Sequence, residues 1–399
     1  MNRTFFSLFC IVFLISCHRQ SDQSSIPCYL INPEKSKTLL YSEFILDEQY
    51  LKLEIDTLNP IGSIDQLIHY VDGYFILDKG TNKVLKYSLD GKFKFVVSRQ
   101  GKGPGEYVKI ASISINSRDS LIVVFDKMAM AVRYYSAIDG SFKSTVKLDF
   151  LPKEITCLGD GKIAACMNFT PHPKEMKKKS PNNLIYFRDP EQIINAFLPF
   201  NHEWVIPNYS GGQIFTNSAH GVFFMPTFYD EVYALDSKSC KPILKLDFGK
   251  YNFRKEIFDG FNSSSERLNN MYKSNMVFRK AGFHEFDSSY FFEFSWKGIG
   301  YWALINKENG FVRTAGGIKN DLSGIPSGIY LGAEGNRMFQ AIEPFFIISE
   351  KNRFLSESKN TSLSAEERAR FKTQYLYIDS LFPNLSDSDN PVLGIYSLK

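Results

Sequence analysis

The sequence predicts an all-β fold: a six-bladed β-propeller of four-stranded antiparallel blades with a helical insertion near the C-terminus. Three observations lead there. Phe at 36 and Tyr at 21 are the outlying counts in 399 residues, and aromatic side chains suit a pleated, half-buried surface. A pattern of strand, polar break, strand and Asp-Gly turn into a further strand recurs along the chain. Six copies of it start about 40 to 70 residues apart, the spacing of one four-stranded sheet per copy. Six sheets set radially leave only short, protected edges. Unrelated hairpins in a β-sandwich would show the same Asp-Gly turns, but the repeat is too long for single hairpins.

The elements follow in chain order. Arg3 supplies a positive start, and Phe5 to Ile15 is an apolar run of eleven residues. That is too short to span a bilayer, which takes roughly 20, but it suits a cleavable signal. Leu14-Ile15-Ser16-Cys17 fits a lipobox better than the small-residue cleavage site of an ordinary signal peptide. The expected organisation is a lipoprotein signal over 1–16, a lipidated tether over 17–38 and the propeller over 39–399. Several acyl chains on Cys17 would anchor the protein stably where one alone would not. His18 to Ser25 is polar, as a tether should be.

The first copy runs from Gly73–Asp78 through Val84 to Phe93, and the second from Leu121–Asp126 through Val132–Tyr135 to Phe142. Looser copies follow: Gly161–Met167 with Leu184–Phe187, Gly221–Met225 with Val232–Leu235, and Tyr290–Phe294 with Tyr301–Asn306. The last is assembled from Arg337–Phe339 and Phe345–Ile348, completed by Val392–Leu398. Two segments interrupt the strands. Ser364 followed by Glu367 forms a capping box that starts a helix from about Ala365 to Leu381, and 252–275 is helix-compatible in parts. Pro171 to Asn183, with Lys177 to Lys179, reads as a long solvated loop.

Between the first two copies lies Arg99-Gln100-Gly101-Lys102-Gly103-Pro104-Gly105-Glu106-Tyr107. Three glycines beside a lysine raise the possibility of a phosphate cradle. Such a loop should lead from a strand into a helix N-terminus, whereas this one joins two strands, and Pro104 has no N–H to donate. It is a crossover between blades.

The lipobox, the Asp-Gly repeat, the Gly-Pro-Gly-Glu-Tyr crossover and Asp389-Asn390-Pro391-Val392-Leu393 resemble the six-bladed β-propeller lipoproteins of Gram-negative anaerobes, relatives of the NHL and TolB-like propellers. The resemblance covers Leu39 to Lys399. It implies that a strand near Tyr50 to Thr57 closes the ring against Val392–Leu398, and that the protein sits in the cell envelope. The expected place is the outer membrane, facing the periplasm or the cell surface.

Composition and motifs narrow the chemistry. With 47 basic and 43 acidic residues the net charge is +4, too balanced to point to nucleic acid. No Gly-x-Ser-x-Gly elbow nominates a nucleophile. Of His69, His172, His202, His220 and His284, no two are three or four residues apart, so no helical metal motif is present and no catalytic residue is assigned. Cys28, Cys157, Cys166 and Cys240 remain beyond the signal and anchor. They read as free thiols, with Cys157 opposite Ala164 if the intervening turn has two residues. Asp78, Asp126 and Asp230 are read as ending strands at comparable positions, where they could face one rim together, and are the weak candidates for a channel metal, although such aspartates more often cap turns. Trp296, Tyr301 and Trp302 are candidate ligand-binding rings, with Trp296 and Trp302 expected to be exposed beside the Lys297–Gly300 turn. The favoured function is a membrane-anchored, non-catalytic propeller that binds or scaffolds a peptide, glycan or protein partner, with no cofactor. The alternative is a lactonase- or lyase-type propeller enzyme with a divalent metal in the central channel.

Overall fold

A computed structural model describes residues 26–178, 180–189, 192–200, 212–218, 221–260 and 263–399. The chain begins with β1 (Cys28–Leu30), β2 (Lys37–Leu40), the single helical turn α1 (Tyr41–Phe44) and β3 (Ile45–Leu51). Five complete blades follow. Blade 1 holds β4 (Gln66–Tyr70), β5 (Gly73–Asp78), β6 (Lys83–Ser88) and β7 (Phe93–Val97). Blade 2 holds β8 (Ile110–Asn116), β9 (Leu121–Asp126), β10 (Ala131–Ser136) and β11 (Phe142–Lys147). Blade 3 holds β12 (Glu154–Cys157), β13 (Ile163–Cys166), β14 (Asn182–Phe187) and β15 (Ile193–Pro199). Blade 4 holds β16 (Phe215–Ser218), β17 (Gly221–Phe224), β18 (Glu231–Leu235) and β19 (Cys240–Asp247). After α2 (Ser264–Lys273), blade 5 holds β20 (Arg279–Glu285), β21 (Ser289–Trp296), β22 (Ile299–Asn306) and β23 (Val312–Lys319). Blade 6 begins with β24 (Ile329–Glu334) and β25 (Arg337–Ile342), is interrupted by α3 (Pro344–Glu357) and α4 (Ala365–Leu381), and resumes with β26 (Val392–Leu398). The chain is thus a six-bladed propeller of antiparallel sheets.

The ring closes where β3 pairs antiparallel with β26, from Leu51 opposite Leu393 to Ile45 opposite Leu398. The closing strand therefore lies about five residues before the expected Tyr50–Thr57, sharing only Tyr50 and Leu51 with it. Two further pairings have no counterpart in the sequence reading. Within the segment read as tether β1 adds to β19, and across its boundary with the propeller β2 adds to β23, both in parallel, so the amino-terminal segment covers the outer edges of blades 4, 5 and 6 in succession. An unpaired edge is a template for association, and here the chain masks two of its own.

The core lies between neighbouring blades. One cluster joins Phe75, Leu77 and Val84 of blade 1 to Ile113, Ile122 and Tyr135 of blade 2. Another joins Val232, Leu244 and Phe223 to Phe283, Phe292 and Phe294. Burial of such side chains contributes roughly 1.5–3 kcal/mol each.

The crossover at 99–107 is built as a wedge. The Tyr107 hydroxyl is buried between the carbonyls of Asn82 and Val97, donating at 2.8 and 2.9 Å geometry shared between them. Tyr135 donates to the Gly105 carbonyl at 3.0 Å. Gly105 has φ +74°, and a Cβ there would strike the Phe142 ring. The anion on this loop is internal: the Glu106 carboxylate accepts from the Gly103 N–H at 2.8 Å, leaving no cradle for phosphate.

Several local expectations are revised. Phe345–Ile348, expected as a strand, is the start of α3. Pro344 opens that helix, where a missing N–H costs nothing, and Ile347 and Phe354 bury against Ile378 of α4. The helix expected at Ala365–Leu381 has those bounds, with the Ser364–Glu367 capping box in place. Within 252–275, the α-helical part is α2, itself capped by Ser263 and Glu266. Cys157 faces Ile163 rather than Ala164. The reason is a longer turn, in which Leu158 N–H bonds the Lys162 carbonyl and Gly161 takes φ +81°. The four cysteines Cys28, Cys157, Cys166 and Cys240 are free thiols. The Pro171–Asn183 loop is anchored rather than freely solvated, because the buried Glu175 carboxylate accepts from Asn182 and pairs with Lys178 at 2.8 Å.

Candidate functional site

The innermost strands of the six blades enclose a central channel of about 320 Å³. Its wall is apolar where Ile113, Ile155, Phe215, Leu331 and Phe339 face inward, and it is polar at Gln66, Glu154, Thr156, Asn217, His69 and Glu334. These residues come from every part of the chain, because each blade presents chiefly its first strand to the axis, with Phe339 added from the second strand of blade 6.

A side chain bridges every seam of the ring. From blade 1, the Gln66 amide donates to the Ile113 carbonyl at 2.7 Å and accepts from the Ile113 N–H at 2.9 Å. Ser114 of blade 2 accepts from the Cys157 N–H at 2.9 Å. From blade 3, the two Glu154 oxygens accept from the Ile214 and Phe215 N–H groups, each at 3.3 Å. Thr216 of blade 4 donates to the Phe283 carbonyl at 2.5 Å. The His284 Nε2 of blade 5 accepts from the Ala333 N–H at 3.1 Å. Glu334 of blade 6 closes the circle on His69 Nδ1. Each such contact is worth about 1 kcal/mol net, but losing one partner of a buried pair costs more.

Two of these groups are titratable and strongly displaced. Burial pushes the Glu154 carboxyl up to about 7, against the pull of the two backbone N–H donors and the nearby Lys153 and Lys79. Burial alone drives His284 down to about 3, so the ring is neutral and its Nε2 lone pair is free to accept from Ala333.

The residues singled out from sequence do not meet at the channel. Asp78 is buried and accepts from Gly62 N–H at 2.6 Å, Thr81 N–H at 2.9 Å and Thr81 Oγ1 at 2.7 Å. Asp126 ends the equivalent strand of blade 2, accepts from Val108 N–H at 2.8 Å and pairs with the buried Arg133 at 3.2 Å. Both fasten the entry into an inner strand to the turn after the second one. Asp230 instead precedes β18 and meets the buried Lys280 of blade 5 at 3.2 Å. Among the described residues, no group of three or more His, Cys, Asp or Glu side chains is arranged to hold a metal ion.

The aromatic candidates divide. Trp296, expected at the surface, is buried, with its indole N–H donating to the Asn275 carbonyl at 2.9 Å. Tyr301 and Trp302 line a small cleft of about 140 Å³ with Arg279 and Glu293. There Trp302 donates to Glu293 at 3.2 Å, and Tyr301 stacks on Phe294 with ring centroids 5.4 Å apart. Cys17, His202 and His220 lie outside the described residues. The channel residues themselves were missed from sequence. Glu154 begins a short strand and His69 sits beside an aromatic, with no spacing signal linking either to its partner.

The match to a family model spans residues 27–397, nearly the whole propeller. The chain belongs to the DUF4934 family, a domain of unknown function. No curated protein matches the sequence. Among solved structures, this DUF4934 chain is similar to a Bacteroides fragilis protein assigned as exported by its name, with a TM-score of 0.70 at 16% identity over 94% of this chain and 100% of that one. A member of the DUF4221 family from Bacteroides vulgatus aligns at a TM-score of 0.49 and 10% identity, covering 89% of this chain and 97% of that one. At these identities the likeness to the first is one of fold. No helix among the described residues of this DUF4934 member is long and apolar enough to cross a membrane.

Proposed function

We propose that this DUF4934 chain is an extracytoplasmic binding propeller, held at the outer membrane by lipid on Cys17, that uses its central channel and the channel mouth to receive a ligand or partner without transforming it. The reading treats the chain as an NHL- or TolB-like lipoprotein. One observation carries it: Gln66, Glu154, His284 and the Glu334–His69 pair line the channel and each bridges a seam between blades, so the wall is a pre-organised receptor surface. A hydrolase would need a nucleophile held against a base and an orienting group. The channel lining instead commits its histidines to a neighbouring blade, His284 to a backbone N–H and His69 to Glu334.

Support for export comes from the lipobox Leu14-Ile15-Ser16-Cys17 and from the exported assignment of the Bacteroides fragilis neighbour. The anchor is tested by feeding cells an alkyne analogue of palmitate. The native chain should incorporate label and partition with the membrane, and Cys17→Ala should do neither. Labelling that survives Cys17→Ala would overturn the anchor. The receptor half is tested by thermal-shift screening of the native chain against Asn217→Trp, which puts a large ring at an exposed position of the channel lining. Ligands that stabilise the native chain should fail on the variant, and steady turnover of any of them would refute a purely binding role.

A further inference from the structure

We propose that the channel selects a small organic cation, a protonated amine on a compact apolar body. This rests on the reading of the channel as a receptor and deepens it. The volume of about 320 Å³ lies at the small end of ligand sites, which run from about 300 to 1,000 Å³. Among the described residues the lining carries two carboxyl groups, Glu154 and Glu334, and no lysine or arginine. The histidines it holds among the described residues, His69 and His284, are engaged with neighbouring blades. Each Glu154 oxygen accepts one backbone N–H, and a carboxylate has about four lone-pair sites, so acceptor capacity is left over. Glu334 is 38% exposed and uses one oxygen on His69, leaving the other for a donor.

Electrostatics decide the sign of the ligand. Lys153 and Lys79 lie near enough to Glu154 to favour its charge, but neither lines the channel. An anion entering would meet a carboxylate toward either end of the channel, whereas an ammonium group would relieve the unpaired charge on Glu154. Ile113, Ile155, Phe215, Leu331 and Phe339 would cover the apolar body. The two carboxyl groups belong to different blades, and the described residues form no three-ligand metal group, which favours an ammonium ion over a metal.

The test is isothermal titration of the full-length protein at pH 8, where Glu154 is ionised, with three probes of similar shape: n-pentylammonium, hexanoate and n-pentanol. The ammonium should bind about tenfold or more tightly than either other probe. Glu154→Gln should erase most of that preference and Glu334→Gln, toward the other end of the channel, part of it, and Asn217→Trp should abolish binding. Glu334→Gln lies at a part-exposed position, so it reports even if the Glu154 variant fails to fold. If hexanoate or pentanol binds as well as the amine and Asn217→Trp removes it, the cation inference falls while the receptor reading stands. If no probe binds, or if Asn217→Trp leaves binding intact, both fall.

Discussion

The displaced carboxyl of Glu154 makes a quantitative statement about stability. It titrates near 7 in the folded protein against 4.5 for an ordinary glutamate, because burial disfavours its charged form. A carboxyl raised on folding binds its proton more tightly in the native state. Its effect is therefore absent below about pH 4.5, grows as a penalty between 4.5 and 7, and is constant above. With 1.36 kcal/mol for each tenfold difference, the native state should lose about 2.5 kcal/mol through this group between pH 5 and pH 8. Glu154→Gln removes the charge but offers only one acceptor oxygen to the Ile214 and Phe215 N–H groups, a cost of about 1–3 kcal/mol that does not vary with pH. The useful quantity is the difference between the two stability profiles. Urea titrations of native chain and variant at pH 5 and pH 8 should give a native-minus-variant gap that falls by about 2.5 kcal/mol across the interval. A gap that stays flat within about 0.5 kcal/mol would refute the account, since pH-independent hydrogen bonding would then explain the whole effect of the substitution.

His284 acts in the opposite direction. Its value is lowered to about 3 from 6.5, so stability is held above pH 6.5 and lost as pH falls toward 3; urea titrations should show the native chain losing about 2.5 kcal/mol between pH 7 and pH 4.5 that His284→Gln does not lose. Asp126→Asn strips the buried Arg133 of its counter-charge and should cost about 3–5 kcal/mol, seen as a lowered melting temperature that chelator treatment of the native chain does not reproduce. Reproduction by chelator would restore the metal reading of Asp126. Tyr107→Phe removes the hydroxyl between the Asn82 and Val97 carbonyls and should cost about 1–3 kcal/mol by denaturant midpoint; a change under about 0.5 kcal/mol would show that the crossover wedge is held by packing alone.

The blades were legible because their signals are local. Asp139-Gly140 turns the chain between β10 and β11, with Gly140 at φ +71°, and the Gly-Pro-Gly-Glu-Tyr stretch marks a crossover through residues that contact one another within a few positions. The Ser364–Glu367 box was readable for the same reason. What was hidden depends on distant partners. His69 meets Glu334, and His284 meets the Ala333 N–H, only after the ring has closed. Trp296 looked like a turn-flanking surface ring, and the Asn275 carbonyl that receives its N–H belongs to the connection before its blade. Phe345–Ile348 has the apolar run of a buried strand, and only Pro344 and the packing partner α4 decide for a helix. The strands β1 and β2 pair over three and four residues, too few to leave a periodicity.

That amino-terminal strap also sets the order in which the molecule would yield under tension. A pull on the amino end is met first by the three residues of β1 on blade 4, then by the four of β2 on blade 5. Only after both detach does load reach the seven-residue β3 that closes the ring. The lash is graded from weak to strong toward the closure, so such a pull would spend two short outer stitches before the toroid could open.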